Sequence, residues 1–338
     1  MRPADSGMTD ISSNPSPGAW ERMRQALRRA SSTLGAHWAR LPAKAVLLMW
    51  LATALPTSMV LFCGQWAFIL GALLDLRLLQ SEGSYPLAML LLAALFLSLK
   101  RHAFAQSLER DRARWGGLLS LLAGSLLVVS SFALSSVDPG NLIGSVFPVL
   151  LYLQGLFLPV FPQASKLTIT LLGLYISPCS LPTVIHTFLD EQVSLFFIRC
   201  SLPLLNLMGY SAQNVGQAIT FSSSTAEPRM LYINSSCAGP ASFSVFLFLS
   251  GLMYLDLRPD KRRAMLLTSA GSAVLYLLNV LRLLILAYVS HSYSSQAMWE
   301  VHSYLGYALF LSFYAAYLLV FFRFLTRDCS RTMAASQE

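Results

Sequence analysis

Residues 258–290 read RPDKRRAMLLTSAGSAVLYLLNVLRLLILAYVS: a basic cluster, then a long apolar run broken by Arg282 and by Asn279 one turn before it. About 20 apolar residues in a helix cross the roughly 30 Å hydrocarbon core of a bilayer. Only a helix satisfies all the backbone polar groups of a single segment there. The stretch therefore reads as a spanning helix whose basic end marks the cytoplasmic face. The rest of the chain is of the same kind. Of 338 residues 55% are hydrophobic and 12% charged, the latter roughly half the share in a soluble domain. The expected fold is all-α, a polytopic transmembrane helix bundle. The net charge of +8 does not point to nucleic acid, because the Lys and Arg residues sit between apolar runs, where they act as topology signals.

Further apolar runs lie on both sides of that helix. Pro240 to Leu257 precedes it across the charged connector, and Val301 to Phe322 follows it across a neutral one. Toward the N-terminus come a run from Ala45 with Pro56 inside it, continuing to Leu74, then Pro86 to Leu99, Gly116 to Ser136, and Leu142 to Phe161. A turn is expected at residues 137–141. Leu167 to Tyr210 is interrupted by Pro178, Pro182, Asp190, Glu191, Arg199 and Pro203. It is read as one span followed, over 188–210, by a re-entrant or interfacial helix, since a further crossing would reverse every later face. The total is about eight spans with both termini cytoplasmic. The organisation is then a basic cytoplasmic tail at 1–44, a transmembrane domain at 45–325 and a cytoplasmic tail at 326–338. Met23 to Arg40 has the pattern of a basic amphipathic surface helix. The first apolar run starts too far along the chain for a cleaved leader to be expected. Residues 211–236, rich in Ser, Thr, Asn and Gln, are read as an extended outer segment with a short hairpin.

Depth follows from the fixed rise of a helix. Cys237 to Arg258, Arg282 back to Arg263, and His302 to Arg323 each span about 20 residues, roughly 30 Å of helix. All three therefore reach the outer level opposite the basic ends. A thiol, a guanidinium and an imidazole supply a nucleophile, a charge stabiliser and a general base, the set an acyl-transfer site requires. Ser235-Ser236-Cys237-Ala238-Gly239-Pro240 is a polar approach ending in a proline at the start of an apolar run, which places Cys237 at a helix N-terminus. Helix dipole and backbone N–H groups there favour a thiolate.

Each residue taken singly has a blander explanation. A membrane cysteine is ordinarily small, buried and inert, and Cys63, Cys179, Cys200 and Cys329 are read so. The five cysteines show no C-x-x-C or zinc-type spacing, so no metal and no cofactor is expected. Arg282 could snorkel to the interface with Asn279 as packing glue, or line the path of a transporter or channel. His302 opens a span at a computable depth, with Gly306 one turn on; His291 and His186 are its rivals. Ser235, Ser236 or Ser242 could serve a serine-type protease, but no G-x-S-x-G elbow is present.

Together these residues resemble the exosortase/archaeosortase family, polytopic transpeptidases of bacteria and archaea with a Cys, Arg, His triad. The matching motifs, in order, are Cys237-Ala238-Gly239, Asn279-Val-Leu-Arg282 and His302-Ser-Tyr-Leu-Gly306. The resemblance covers roughly residues 145–325. One departure is Ala238, where many bacterial members carry Ser. The resemblance implies a protein-sorting enzyme of the cell membrane with its active site on the extracytoplasmic side. Its substrates would be proteins ending in a short Pro-containing motif, a transmembrane helix and a basic cluster. It implies Cys237 as nucleophile through a thioester, Arg282 as stabiliser of thiolate and oxyanion, and His302 as acid–base. Asn279, Gly239 and Gly306 would support them, and a lipid or other acceptor would take the product.

Overall fold

The computed structural model describes residues 21, 42–74, 84–111, 117–136, 142–221, 229–257, 259–293 and 295–335. The N-terminal tail with its expected surface helix, the 137–141 turn and Arg258 lie outside the described residues. The elements are α1 (Ala43–Leu61), α2 (Cys63–Leu74), α3 (Tyr85–Leu99), α4 (Arg101–Asp111), α5 (Leu118–Ser135), α6 (Leu142–Val160), α7 (Ala164–Phe188) and α8 (Asp190–Leu207). There follow β1 (Gln213–Val215), β2 (Ala218–Phe221), β3 (Arg229–Tyr232), a 3₁₀ turn (Ser235–Ala238), α9 (Pro240–Leu257), α10 (Lys261–Ser292) and α11 (Ser295–Ala335).

Seven of these helices are long and apolar enough to cross a membrane, and an eighth crossing arises if the bent pair α3–α4 is one broken span. Their outward faces are apolar, with Val60, Leu119 and Leu266 largely exposed, as suits a surface wetted by lipid rather than water. The first apolar run is divided at Phe62, where α1 ends and the shorter α2 begins. C-terminally, the helix that begins the last span continues to Ala335, so much of the expected tail is helical.

Without a hydrophobic drive between helices in lipid, close packing depends on small residues. A Cβ added at Gly124 of α5 would lie 2.5 Å from the Gly155 carbonyl oxygen of α6, and one at Gly155 would lie 2.7 Å from the Gly124 carbonyl oxygen. These two glycines let the helix backbones touch. α3 turns by 73° into α4, whose Leu108 and Phe104 join Phe157, Phe161 and Ala164 in a small core. Asp111 at the end of α4 accepts the backbone N–H of Gln163 (2.8 and 2.9 Å) and of Ala164 (2.8 Å). It satisfies amide donors at the start of α7 that have no partner within the helix.

α8 is not among the helices apolar enough to cross. Its Phe197, Ile198 and Leu205 pack with Ile219, Phe221 and Ile233 around the sheet and with Val280, Leu283 and Ala287 of α10. The segment expected as a short hairpin is a three-stranded antiparallel sheet in the order β1-β2-β3. Val215 pairs with Ala218 across a two-residue turn, in which Gly216 supplies φ +63°. β2 pairs with β3 from Ala218↔Tyr232 to Phe221↔Arg229, and β3 leads directly toward Cys237.

Candidate active site

Cys237 stands in the 3₁₀ turn Ser235–Ala238, ahead of α9 rather than in its first turn. The sequence expectation of a helix N-terminus is corrected to that extent. The Cys237 N–H is not open to a ligand, because it donates to the backbone oxygen of Asn234 (3.0 Å) and to its Oδ1 (3.2 Å). Gly239, at φ +77°, then reverses the chain into α9, which begins at Pro240. The thiol is half-buried and in no disulfide.

α10 presents Asn279 and Arg282 one turn apart on one buried face, 2% and 6% exposed. The Asn279 side chain reaches the Cys237 turn and not Arg282: its Nδ2 donates to the Ala238 carbonyl at 2.7 Å. This contact is why residue 239 is glycine. A Cβ there would lie 1.8 Å from Asn279 Nδ2, on a backbone already in the left-handed region that other residues avoid. Arg282 Nη2 lies 3.2 Å from His302 Nε2 and donates to the His302 carbonyl at 3.4 Å. One turn further along α11, a Cβ at Gly306 would come 3.4 Å from Arg282 Cζ, so this glycine lies against the guanidinium with room for little more than a methyl group. His302 also meets the ring of Trp299 edge-on at 5.5 Å.

Segments from three places in the sequence thus converge, with Asn279 tying the Cys237 turn to α10 and Arg282 tying α10 to α11. The rival histidines have other partners, and His186 touches the Cys237 turn itself. His291 packs against Tyr210, ring centroids 4.8 Å apart, at the far end of α10. His186 Nδ1 is 3.3 Å from Asp190 Oδ1 and 3.4 Å from Ser235 Oγ.

Asp190 was not expected at the site. It opens α8 immediately after the break at Leu189. Its Oδ1 accepts the Ser235 N–H at 3.0 Å and the Ser235 hydroxyl at 2.5 Å. Its Oδ2 accepts from Gln217 Nε2 at 3.2 Å, and Gln217 Oε1 accepts from the Tyr232 hydroxyl at 2.6 Å. The Ser235 hydroxyl and N–H hold the Asp190 carboxyl below the usual carboxylate range against the opposing effect of burial, with smaller help from Gln217 and His186. One sequence signal pointed here: an acidic residue inside an otherwise apolar region is costly and is ordinarily paired.

The chain matches the sequence model of the transmembrane exosortase family (Exosortase_EpsH) over residues 77–321, a stretch that contains every residue of the candidate site and starts well before residue 145, where the resemblance read from the sequence begins. Comparison with curated proteins and with solved structures gave no match. The Cys237 turn, held by Asn279, and the Arg282–His302 contact on the same helix α10 are therefore met in a chain whose family is fixed by most of its length. With the transporter alternative set aside by that match, the chain belongs to the transmembrane exosortases: it is a multi-pass membrane enzyme of the cysteine-transpeptidase type that takes part in protein sorting.

Proposed function

We propose that Cys237 cleaves substrate proteins near a short C-terminal motif, ahead of their transmembrane helix and basic cluster. The products are a thioester and a released tail. The observation that carries this reading is the 3.2 Å contact between Arg282 and His302, on the helix that also grips the Cys237 turn through Asn279. A guanidinium only donates hydrogen bonds, so His302 Nε2 is the acceptor in this arrangement and the ring proton sits on Nδ1. Nε2 is then the basic nitrogen able to take the Cys237 proton. Once it has done so it becomes a donor and no longer accepts from Arg282, whose N–H groups turn to the thiolate and then to the tetrahedral oxyanion. His302 gives the proton to the leaving amine, and an acceptor nucleophile, a lipid or another hydroxyl or amine, resolves the thioester. The basic ends of the last three spans support an extracytoplasmic site.

Ser235, Asp190 and His186 lie together but do not support a serine mechanism. In a triad one ring nitrogen faces the serine and the other the carboxylate. Here His186 Nδ1 faces both, and the Ser235 hydroxyl donates straight to Asp190. The deciding experiment is Cys237→Ala in cells that make a tail-bearing substrate. Accumulation of full-length, tail-bearing protein is expected; normal processing overturns the reading.

A further inference from the structure

We propose that Asp190 is the positioning residue of the nucleophile turn: by holding Ser235 it sets where the Cys237 thiol stands. The proposal rests on Cys237 being the nucleophile. A four-residue 3₁₀ turn has little internal hydrogen bonding to define it, so its placement depends on what grips it from outside. Among the described residues two side chains hold it at 3.0 Å or less, beside the longer His186–Ser235 contact of 3.4 Å. Asn279 of α10 holds the exit through the Ala238 carbonyl, and Asp190 of α8 holds the entrance through both the N–H and the hydroxyl of Ser235. Ser235 is 1% exposed, so without the carboxylate its N–H would be buried unsatisfied, its hydroxyl would keep only His186 Nδ1 at 3.4 Å, and the turn would shift to find other partners.

Asp190 also gathers the neighbours of the turn. Through Gln217 it holds the β1–β2 turn, Gln217 in turn accepts from Tyr232 of β3, and the Gln217 carbonyl accepts the Ile233 N–H at 2.8 Å. One carboxylate thereby fixes α8, the sheet and the entrance to the nucleophile turn as a unit. A displacement of about 1 Å in a reacting group costs on the order of 10²-fold in rate, so the loss should appear in turnover rather than in substrate binding.

The test uses the full chain with Cys63, Cys200 and Cys329 replaced by Ser, in membranes, with a tail-bearing substrate. Processing kcat and KM are measured alongside the alkylation rate of Cys237 by an impermeant maleimide. Asp190→Ala is expected to lower kcat by roughly 10- to 100-fold with KM within about two-fold, and to change the alkylation rate. Asp190→Asn keeps one oxygen for the Ser235 N–H and should recover part of the rate. Ser235→Ala, which keeps the backbone bond, should fall between wild type and Asp190→Ala. Wild-type kcat in Asp190→Ala, or a change confined to KM or to the amount of inserted protein, overturns the proposal. If Asp190→Ala does not reach the membrane, wild-type kcat in both Asp190→Asn and Ser235→Ala overturns it. Normal processing by Cys237→Ala would overturn instead the reading on which it rests.

Discussion

Nη2 of Arg282 and Nε2 of His302 are 3.2 Å apart, joining α10 to α11 across 20 residues of sequence. Because arginine keeps its charge at any accessible pH and can only donate, the contact orients the imidazole and leaves its lone pair on the nitrogen nearer the guanidinium. In the proposed mechanism base and charge stabiliser are thereby coupled, since each state of His302 dictates what Arg282 is free to do.

Arg282→Ala should lower processing kcat by about 10²–10³-fold, the usual loss when a preorganised oxyanion donor is removed. Arg282→Lys should recover only part of it, since a point charge lacks the planar fork that serves His302 and an oxyanion together. Steady-state assays of both variants at equal amounts of inserted protein check this; full activity of the lysine form would mean that only charge matters.

Gly239→Ala should abolish activity and destabilise the turn. The added Cβ meets Asn279 at 1.8 Å, and the left-handed backbone adds a cost of about 1–3 kcal/mol. Gly306→Ala is the control, with its first contact at 3.4 Å on Arg282, and should keep most of the activity. The two variants are compared by substrate processing and by labelling of Cys237.

Asp111→Ala should weaken the bundle without touching the chemistry. It removes the acceptor of the Gln163 and Ala164 amides, a loss of about 1–3 kcal/mol, at the α4–α7 junction and not among the elements that carry Cys237, Arg282 or His302. The midpoint of thermal unfolding in detergent should fall, while kcat per folded molecule should stay at the wild-type level.

The spans and the shared level of Arg282 and His302 were legible because they depend on two local regularities, the fixed rise of a helix and basic residues at one membrane face. Arg282 and His302 could be brought to one level by counting alone. Asp190 and Asp111 could not, because each acts on a segment 45 or more residues away, through a chain reversal that periodicity does not encode. The turn around Cys237 was half legible. Pro240 marked the start of α9, but the left-handed Gly239 that separates Cys237 from that helix follows from a close approach to Asn279, a tertiary fact. Asn279 was legible as a polar residue needing a partner in lipid, while which partner it takes depends on how α10 meets the turn.

The Asp190 network should give the site a lower pH limit. Hydrogen bonds from Ser235 and Gln217 favour the carboxylate and hold its pKa below the usual value, so the folded state binds that proton less readily than the unfolded one. The stabilisation is then fully present above the ordinary carboxylate pKa and is lost as pH falls through the lowered one in the native protein. Of the groups facing the carboxylate, His186 of α7 is the titratable one; Ser235 and Gln217 are neutral. The alkylation rate of Cys237, corrected for the intrinsic pH dependence of thiol alkylation, should therefore hold from neutral into mildly acidic conditions and change only when Asp190 takes up its proton. In Asp190→Asn, which has no proton to gain, that acidic transition should disappear. If it persists there, the limit belongs to another group, and Asp190 does not set it.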